Sequence, residues 1–382
     1  MATLIAVWAQ VSRLYRQGSP ESTVLATLSE RIPNWLEFDA QEQLLSMVVE
    51  DANALRYPPP AKYTARLLRA YSEAVEKAGI EDVSDSLFET ISALQPHVNE
   101  TAGHLSYDVP IVSTGSRAES GVTLVLKVEP HHNEVGLRMW EAGFFLTEWL
   151  LAYPNAVSGK RVLELGAGLG LTGLAAAACA GSSEVILSDC SVEVLKNLED
   201  IVSMNKVALQ QASPPCEVSV VDLDWALGGA AAVETVKWAD LIIAADVLYD
   251  PTVVPHFVDV VEALLGSSMS HYSDSSSPAQ APVVVVGATL RNPKTLALFI
   301  DLVRKRDIAI YEGSLANSGV VPLSSSNEIG YWDHRPFDYE PRGVRLFALG
   351  GIPDGDWAPL REGPLGLGEN VTEVDVTWVP RF

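Results

Sequence analysis

The stretch Glu164-Leu165-Gly166-Ala167-Gly168-Leu169-Gly170, directly behind the apolar run Arg161-Val162-Leu163, constrains this chain more than any other feature. Glycines at a strand-to-helix turn let the backbone approach a ligand closely, and the helix after the turn offers free N–H groups at its start. The competing reading is a dinucleotide fingerprint, G-x-G-x-x-G. That pattern needs glycine at position 171, where this chain has Leu171, and Gly170 arrives one place early.

The acid at Glu164, two places before Gly166, sharpens the choice. A carboxylate there would repel a diphosphate and welcome the ammonium end of S-adenosylmethionine. The turn is therefore read as a site for that methyl donor.

The surroundings fit an α/β fold. From residue 135 onward strands and helices alternate, which implies a largely parallel sheet covered on both faces. Seven strands are expected: Arg161–Leu165, Glu184–Ser188, Glu217–Val221, Ala239–Ala245, Pro282–Ala288, Ile308–Glu312 and Val344–Leu349. Ser191, Asp250-Pro251 and Asn292-Pro293 read as helix starts. The Ser-rich stretch Gly266–Pro278 reads as a disordered surface loop. Residues 313–343 and 350–382 carry little periodicity.

At 382 residues there is room for two domains, and 48% hydrophobic residues can bury a sizeable core. The first ~100 residues read as helices. Asp39 is expected to cap one whose buried face holds Leu44, Leu45, Val48, Val49, Ala52 and Leu55; Ala61–Lys77 and Val83–Leu94 come after it. Met1–Gln17 lacks the pattern of a secretory signal and reads as an amphipathic helix. Val122, Leu124, Leu126 and Val128 alternate as a strand would. The expected division is a helical accessory, substrate-recognition domain at 1–103, a β linker or hairpin at 104–134, a catalytic domain at 135–350 and a C-terminal tail at 351–382.

Charge and cysteines narrow the partners. A formal net charge of −23 argues against nucleic acid and anionic membranes, and suits a basic protein surface. Apolar runs such as Leu171–Ala180 are too short to span a bilayer. Three cysteines, Cys179, Cys190 and Cys216, form no framework and read as reduced thiols. The His131-His132 doublet has no ligand set at metal spacing and is assigned to a polar loop, so no metal is expected.

Four more places carry chemistry. Asp189, ending the next strand, can accept both ribose hydroxyls of an adenosine. Trp225, in Asp222-Leu223-Asp224-Trp225, can stack on adenine or simply fill the core. Asp246 and Tyr249, in Ala244–Pro251, stand where a methyl group would face its acceptor, and could hold a lysine amine; a strand-end turn is the plainer reading. Trp140, in Met139–Gly143, could pack over the donor, with Glu141 facing its cation.

Together, Trp140-Glu141-Ala142, Glu164–Gly170, Asp189, Leu223-Asp224-Trp225 and Asp246-x-x-Tyr249 resemble the motif set of the seven-β-strand protein-lysine methyltransferases. Tyr57–Tyr63, Ser106-Tyr107, Ser188-Asp189-Cys190 and Thr289–Pro293 are similar to the eukaryotic branch acting on elongation factor 2, over roughly residues 30–310. The resemblance implies a Rossmann-like, seven-stranded methyltransferase domain behind an all-helical N-terminal domain. It implies cofactor contacts by Trp140, Gly166, Ala167, Gly168, Trp225 and Ala245 beside Glu164 and Asp189, catalysis at Asp246 and Tyr249, and elongation factor 2 as the protein substrate. A cytoplasmic monomer is expected. Methylation of another protein or a small amine, and a non-catalytic adaptor, are the alternative readings.

Overall fold

The computed structural model describes residues 2–97, 102–112, 121–129, 135–212, 215–273, 282–313, 336–339 and 343–350. Six helices open the chain: α1 (Ala2–Arg16), α2 (Glu21–Arg31), α3 (Phe38–Leu44), α4 (Ala52–Arg56), α5 (Ala61–Lys77) and α6 (Asp85–Leu94). They enclose a core of their own around Trp8, Leu28, Leu67 and Tyr71. The stripe Leu67, Leu68, Tyr71 and Val75 is buried as its spacing predicts.

The helix expected behind Asp39 is broken instead. Asp39 lies inside α3, the chain loosens into a π-turn at Leu45–Val49, and Asp51 caps α4 by accepting from the N–H groups of Asn53 and Ala54. The break turns Leu55 outward, where it is 65% exposed.

β1 (Gly103–Pro110) and β2 (Gly121–Val128) form an antiparallel hairpin with Tyr107 opposite Leu124. Leu124, Leu126 and Val128 are buried with Val162 and Leu187 of the α/β region, not in the helical core. The helices hold the other side: buried Arg16 lies 2.8 Å from Asp108, and the His104 N–H donates to the Pro58 carbonyl at 2.8 Å. Burial pushes the Asp108 carboxyl up, but Arg16 and the Thr123 hydroxyl hold it below the usual carboxylate range. His131-His132, most of 313–343 and the tail 351–382 lie outside the described residues.

The rest is the α/β unit: α7 (Glu141–Ala152), β3 (Arg161–Leu165), α8 (Leu171–Cys179), β4 (Glu184–Asp189), α9 (Val192–Met204), α10 (Lys206–Gln211), β5 (Glu217–Asp222), α11 (Gly229–Val236), β6 (Leu241–Ala245), α12 (Val254–Ser273), β7 (Val283–Thr289), α13 (Pro293–Lys305), β8 (Ile310–Gly313) and β9 (Val344–Gly350). Its seven strands run in the order β5-β4-β3-β6-β7-β9-β8. β5 through β7 are parallel; β9 slots antiparallel between β7 and β8. Alternate residues feed two cores, Val162 and Ile243 on one face, Leu163 and Ile242 on the other.

One helix start and one loop are corrected. Asp250-Pro251 makes a turn, Asp250 accepting from the Thr252 N–H at 2.8 Å, and α12 begins only at Val254. Of the loop expected at Gly266–Pro278, residues 266–273 are helical and 274–278 lie outside the described residues: a helix already anchored by Val258, Val261 and Leu264 extends at one hydrogen bond per added residue.

Candidate active site

The carboxyl ends of β3, β4, β5 and β6 surround one cavity of about 580 Å³, within the range of small-molecule sites. Trp140, Glu164, Gly166, Ala167, Gly168, Asp189, Trp225, Ala245, Asp246 and Tyr249 all line it. Residues spread over a hundred positions of sequence are brought together by the strand order.

The floor is the glycine turn. Gly166 and Gly168 have φ of +66° and +54°, the left-handed region that other residues enter only under strain. A Cβ on Gly166 would stand 3.0 Å from Val247 and 3.3 Å from the Trp225 ring, so the turn and the indole are closely fitted. The Ala167 N–H donates to the Ser188 carbonyl at 2.8 Å, fastening the turn to β4.

Asp189 fastens it again. Its Oδ2 accepts from the Gly168 N–H at 3.2 Å, and its Oδ1 accepts from Cys190 and Ser191 at 2.8 and 3.2 Å. Carboxylate oxygens accept more than one hydrogen bond each, so capacity remains toward the cavity. Cys190 lines the wall beside it. Burial and three nearby aspartates, Asp189, Asp224 and Asp222, push its thiol up, which keeps it a poor nucleophile.

Glu164 lies beneath the turn, 3% exposed, with Oε2 accepting from the Gly173 N–H at 2.9 Å. Burial pushes its carboxyl up to about 8, against the pull of the Gly173 N–H and the Thr172 hydroxyl. An acid poised in this way can meet a cation without a fixed charge being buried before the cation arrives.

Trp225 comes after β5, where Asp224 accepts from the Ala226 N–H at 2.9 Å and fixes the turn. Its ring packs 5.2 Å from Phe257. The core and cavity readings of this tryptophan hold together, since one face is packed while the residue lines the wall.

Asp246 is a hub. Its own φ is +54° and its side chain is 8% exposed. Oδ1 accepts from the Thr289 N–H at 2.8 Å; Oδ2 accepts from the Thr289 hydroxyl at 2.9 Å and the Ala142 N–H at 3.2 Å. It thus joins β6, β7 and the start of α7. Tyr249 stands beyond it, 54% exposed.

Arg138, His256 and Arg291 also line the cavity, and sequence reasoning did not single them out as site residues. Arg291 lies in Thr289–Pro293, a segment legible by resemblance but without a role. Glu141, expected to face the donor's cation, instead pairs with Arg291 at 2.9 Å.

Among the described residues the lining holds four carboxylates, Glu164, Asp189, Asp224 and Asp246, against two arginines, Arg138 and Arg291, and no lysine. That donor set suits a cationic nucleoside with ribose hydroxyls and a flat base, and disfavours a diphosphate. The residues present fit S-adenosylmethionine. No group of three or more His, Cys, Asp and Glu among the described residues could hold a metal.

A family model described as lysine methyltransferase matches residues 120–275. The human protein-lysine N-methyltransferase EEF2KMT is 30% identical over 282 residues, covering 72% of this chain and 79% of that protein. Its bovine counterpart is 31% identical over 67% of this chain and 75% of its own length. The protein-lysine N-methyltransferase EFM3 of Chaetomium thermophilum is 29% identical, covering 72% and 82%.

Proposed function

This chain belongs to the lysine methyltransferase family, and on that premise we propose that it methylates a lysine of a translation factor, elongation factor 2 first among them. It is an S-adenosylmethionine-dependent protein-lysine N-methyltransferase. The observation that carries the reading is that one cavity is lined by the glycine turn, Asp189, Trp225 and Trp140 together with Asp246 and Tyr249. The substrate choice is supported by relatives named for that activity at about 30% identity.

Gly166, Ala167, Gly168 and Ala245 would hold the cofactor by backbone, Asp189 by its ribose, Trp225 by its adenine, Glu164 and Trp140 at the amino-acid end. Bound there, S-adenosylmethionine supplies an electrophilic methyl group on a sulfonium. The amine must reach it neutral, although lysine is charged in water near pH 7. Desolvation on entering the cavity lowers that pKa. Asp246, tied to Thr289 and Ala142, holds the rim in place, and the Tyr249 hydroxyl aligns the lone pair; proximity supplies most of the acceleration.

In this reading residues 1–103 recognise the protein substrate, 104–134 connect, 135–350 catalyse, and 351–382 form a tail. The enzyme works in the cytoplasm as a monomer, on neither nucleic acid nor membrane; no helix among the described residues is long and apolar enough to cross one. Incubation with tritiated S-adenosylmethionine and purified elongation factor 2, then a eukaryotic lysate, tests it. Label on a lysine of elongation factor 2 is expected, located by mass spectrometry. Label on another protein alone would sink the substrate assignment.

A further inference from the structure

Trp140, Glu141 and Asp246 meet around one guanidinium. Arg291, on the loop between β7 and α13, places its guanidinium carbon 4.7 Å from the Trp140 ring centroid. Its Nη2 lies 2.9 Å from Glu141 Oε2 and 3.5 Å from Asp246 Oδ2. An aromatic face flanked by two carboxylates is a receptor for an organic cation, because the ring quadrupole and the two charges attract the same guest. Arg138 faces the same ring from farther off, at 5.6 Å. Trp140, Asp246 and Arg291 all line the cavity, so this receptor opens onto the space assigned to the methyl donor.

We infer that Trp140, Glu141 and Asp246 form the seat on which the substrate lysine's ammonium lands, and that Arg291 fills this seat until the lysine arrives. The inference rests on the lysine-methyltransferase reading and deepens it. Arg291 is placed to yield: its side chain is 42% exposed and that of Glu141 is 44% exposed. Asp246 keeps its bonds to Thr289 and Ala142 whether Arg291 is present or not. The exchange swaps one cation for another, so the seat's net charge is unchanged and no extra charge is buried. The displaced guanidinium stays tethered close by. The two carboxylates of the seat hold the ammonium charged, so its proton leaves only as the amine moves from the seat toward the methyl group.

The test titrates the full chain with n-butylammonium chloride, the bare cationic end of a lysine side chain. The Trp140 indole N–H resonance, which donates to the Val135 carbonyl, is the reporter. Against wild type, Arg291→Ala and Arg291→Gln should bind at least fivefold more tightly, and Arg291→Lys, which keeps a cation in place, should not. Adding Trp140→Leu to Arg291→Gln, tracked by the remaining indole resonances, should abolish the gain. Equal affinity of wild type and Arg291→Gln, or a gain that survives Trp140→Leu, overturns the proposal. The indole spectrum reports folding of each variant. No methyl transfer is measured, so a failure of the lysine-methyltransferase reading appears separately, as absent label in the enzymatic assay.

Discussion

Glu164 Oε2 accepts the backbone N–H of Gly173 at 2.9 Å, so the acid that opens the glycine turn also holds the start of α8. The native protein keeps the Glu164 proton up to about pH 8, whereas the unfolded chain releases it near its ordinary value of 4.5. The folded state therefore binds more protons between those values, and stability falls as pH rises through that window. Glu164→Gln keeps an oxygen for Gly173 and cannot ionise. Thermal melts from pH 5 to 9 should show the wild type losing on the order of 4 kcal/mol relative to this variant. Parallel pH curves would mean the acid is charged when buried.

Asp189 and Tyr249 should fail in different ways. Asp189→Ala strands the Gly168, Cys190 and Ser191 N–H groups as well as the ribose hydroxyls. Donor affinity should fall by about 1–3 kcal/mol. Tyr249→Phe removes one hydroxyl and little volume, so donor affinity should hold while kcat drops. Calorimetry and single-turnover rates on both variants check the split; a Tyr249→Phe enzyme with an unchanged rate would move the acceptor site elsewhere.

Arg16 joins the helical region to the hairpin through Asp108, with its own side chain 6% exposed. Arg16→Ala leaves a half-buried carboxylate without its cation and should cost about 3 kcal/mol. The Asp108 carboxyl lies below its ordinary value, so this stability is present above the unfolded carboxylate pKa and is lost as pH falls through the native one. Denaturant titrations of wild type and Arg16→Ala should differ widely at pH 7 and draw together as pH falls through the native Asp108 carboxyl's range.

The sheet and the glycine turn were readable because they are local. Apolar runs such as Leu241–Ala245 announce strands covered on both faces, and Gly166 and Gly168 announce a positive φ. Strand direction was not readable: the buried run Leu346-Phe347-Ala348-Leu349 of β9 carries no sign of its sense, which only the antiparallel pairing shows, with Val344 opposite Thr289 and Gly350 opposite Val283. The run Leu44, Leu45, Val48 keeps a helical period straight through the π-turn, so periodicity could not reveal the break, although Asp51 before Ala52 carried a cap signal. Of the site, Trp140, Glu164, Gly166, Ala167, Gly168, Asp189, Trp225, Ala245, Asp246 and Tyr249 were legible from motifs, while Arg138 and His256 on the same cavity were not. The Asp246 hub and the Arg291 clamp were not, because their partners, Ala142, Thr289, Trp140 and Glu141, come from elements far apart in sequence.

The helix α7 has a second set of attachments. The Ala142 N–H near its start donates to Asp246, while farther along Phe144 packs 5.6 Å from Tyr107 and 5.2 Å from Phe337, and Glu148 accepts from the Tyr339 hydroxyl at 2.8 Å. The Pro336 carbonyl on that same short segment accepts from Gln17 at 2.7 Å. Twelve residues of helix form a stiff rod about 18 Å long, so both sets of contacts share one rigid body. Energies at the two sets of contacts are therefore not independent variables. In a double-mutant cycle, Phe337→Ala and Asp246→Asn should depart from additivity by about 0.5 kcal/mol or more, despite having no atom in common. The N-terminal helices and the cavity rim are in this sense a single thermodynamic unit.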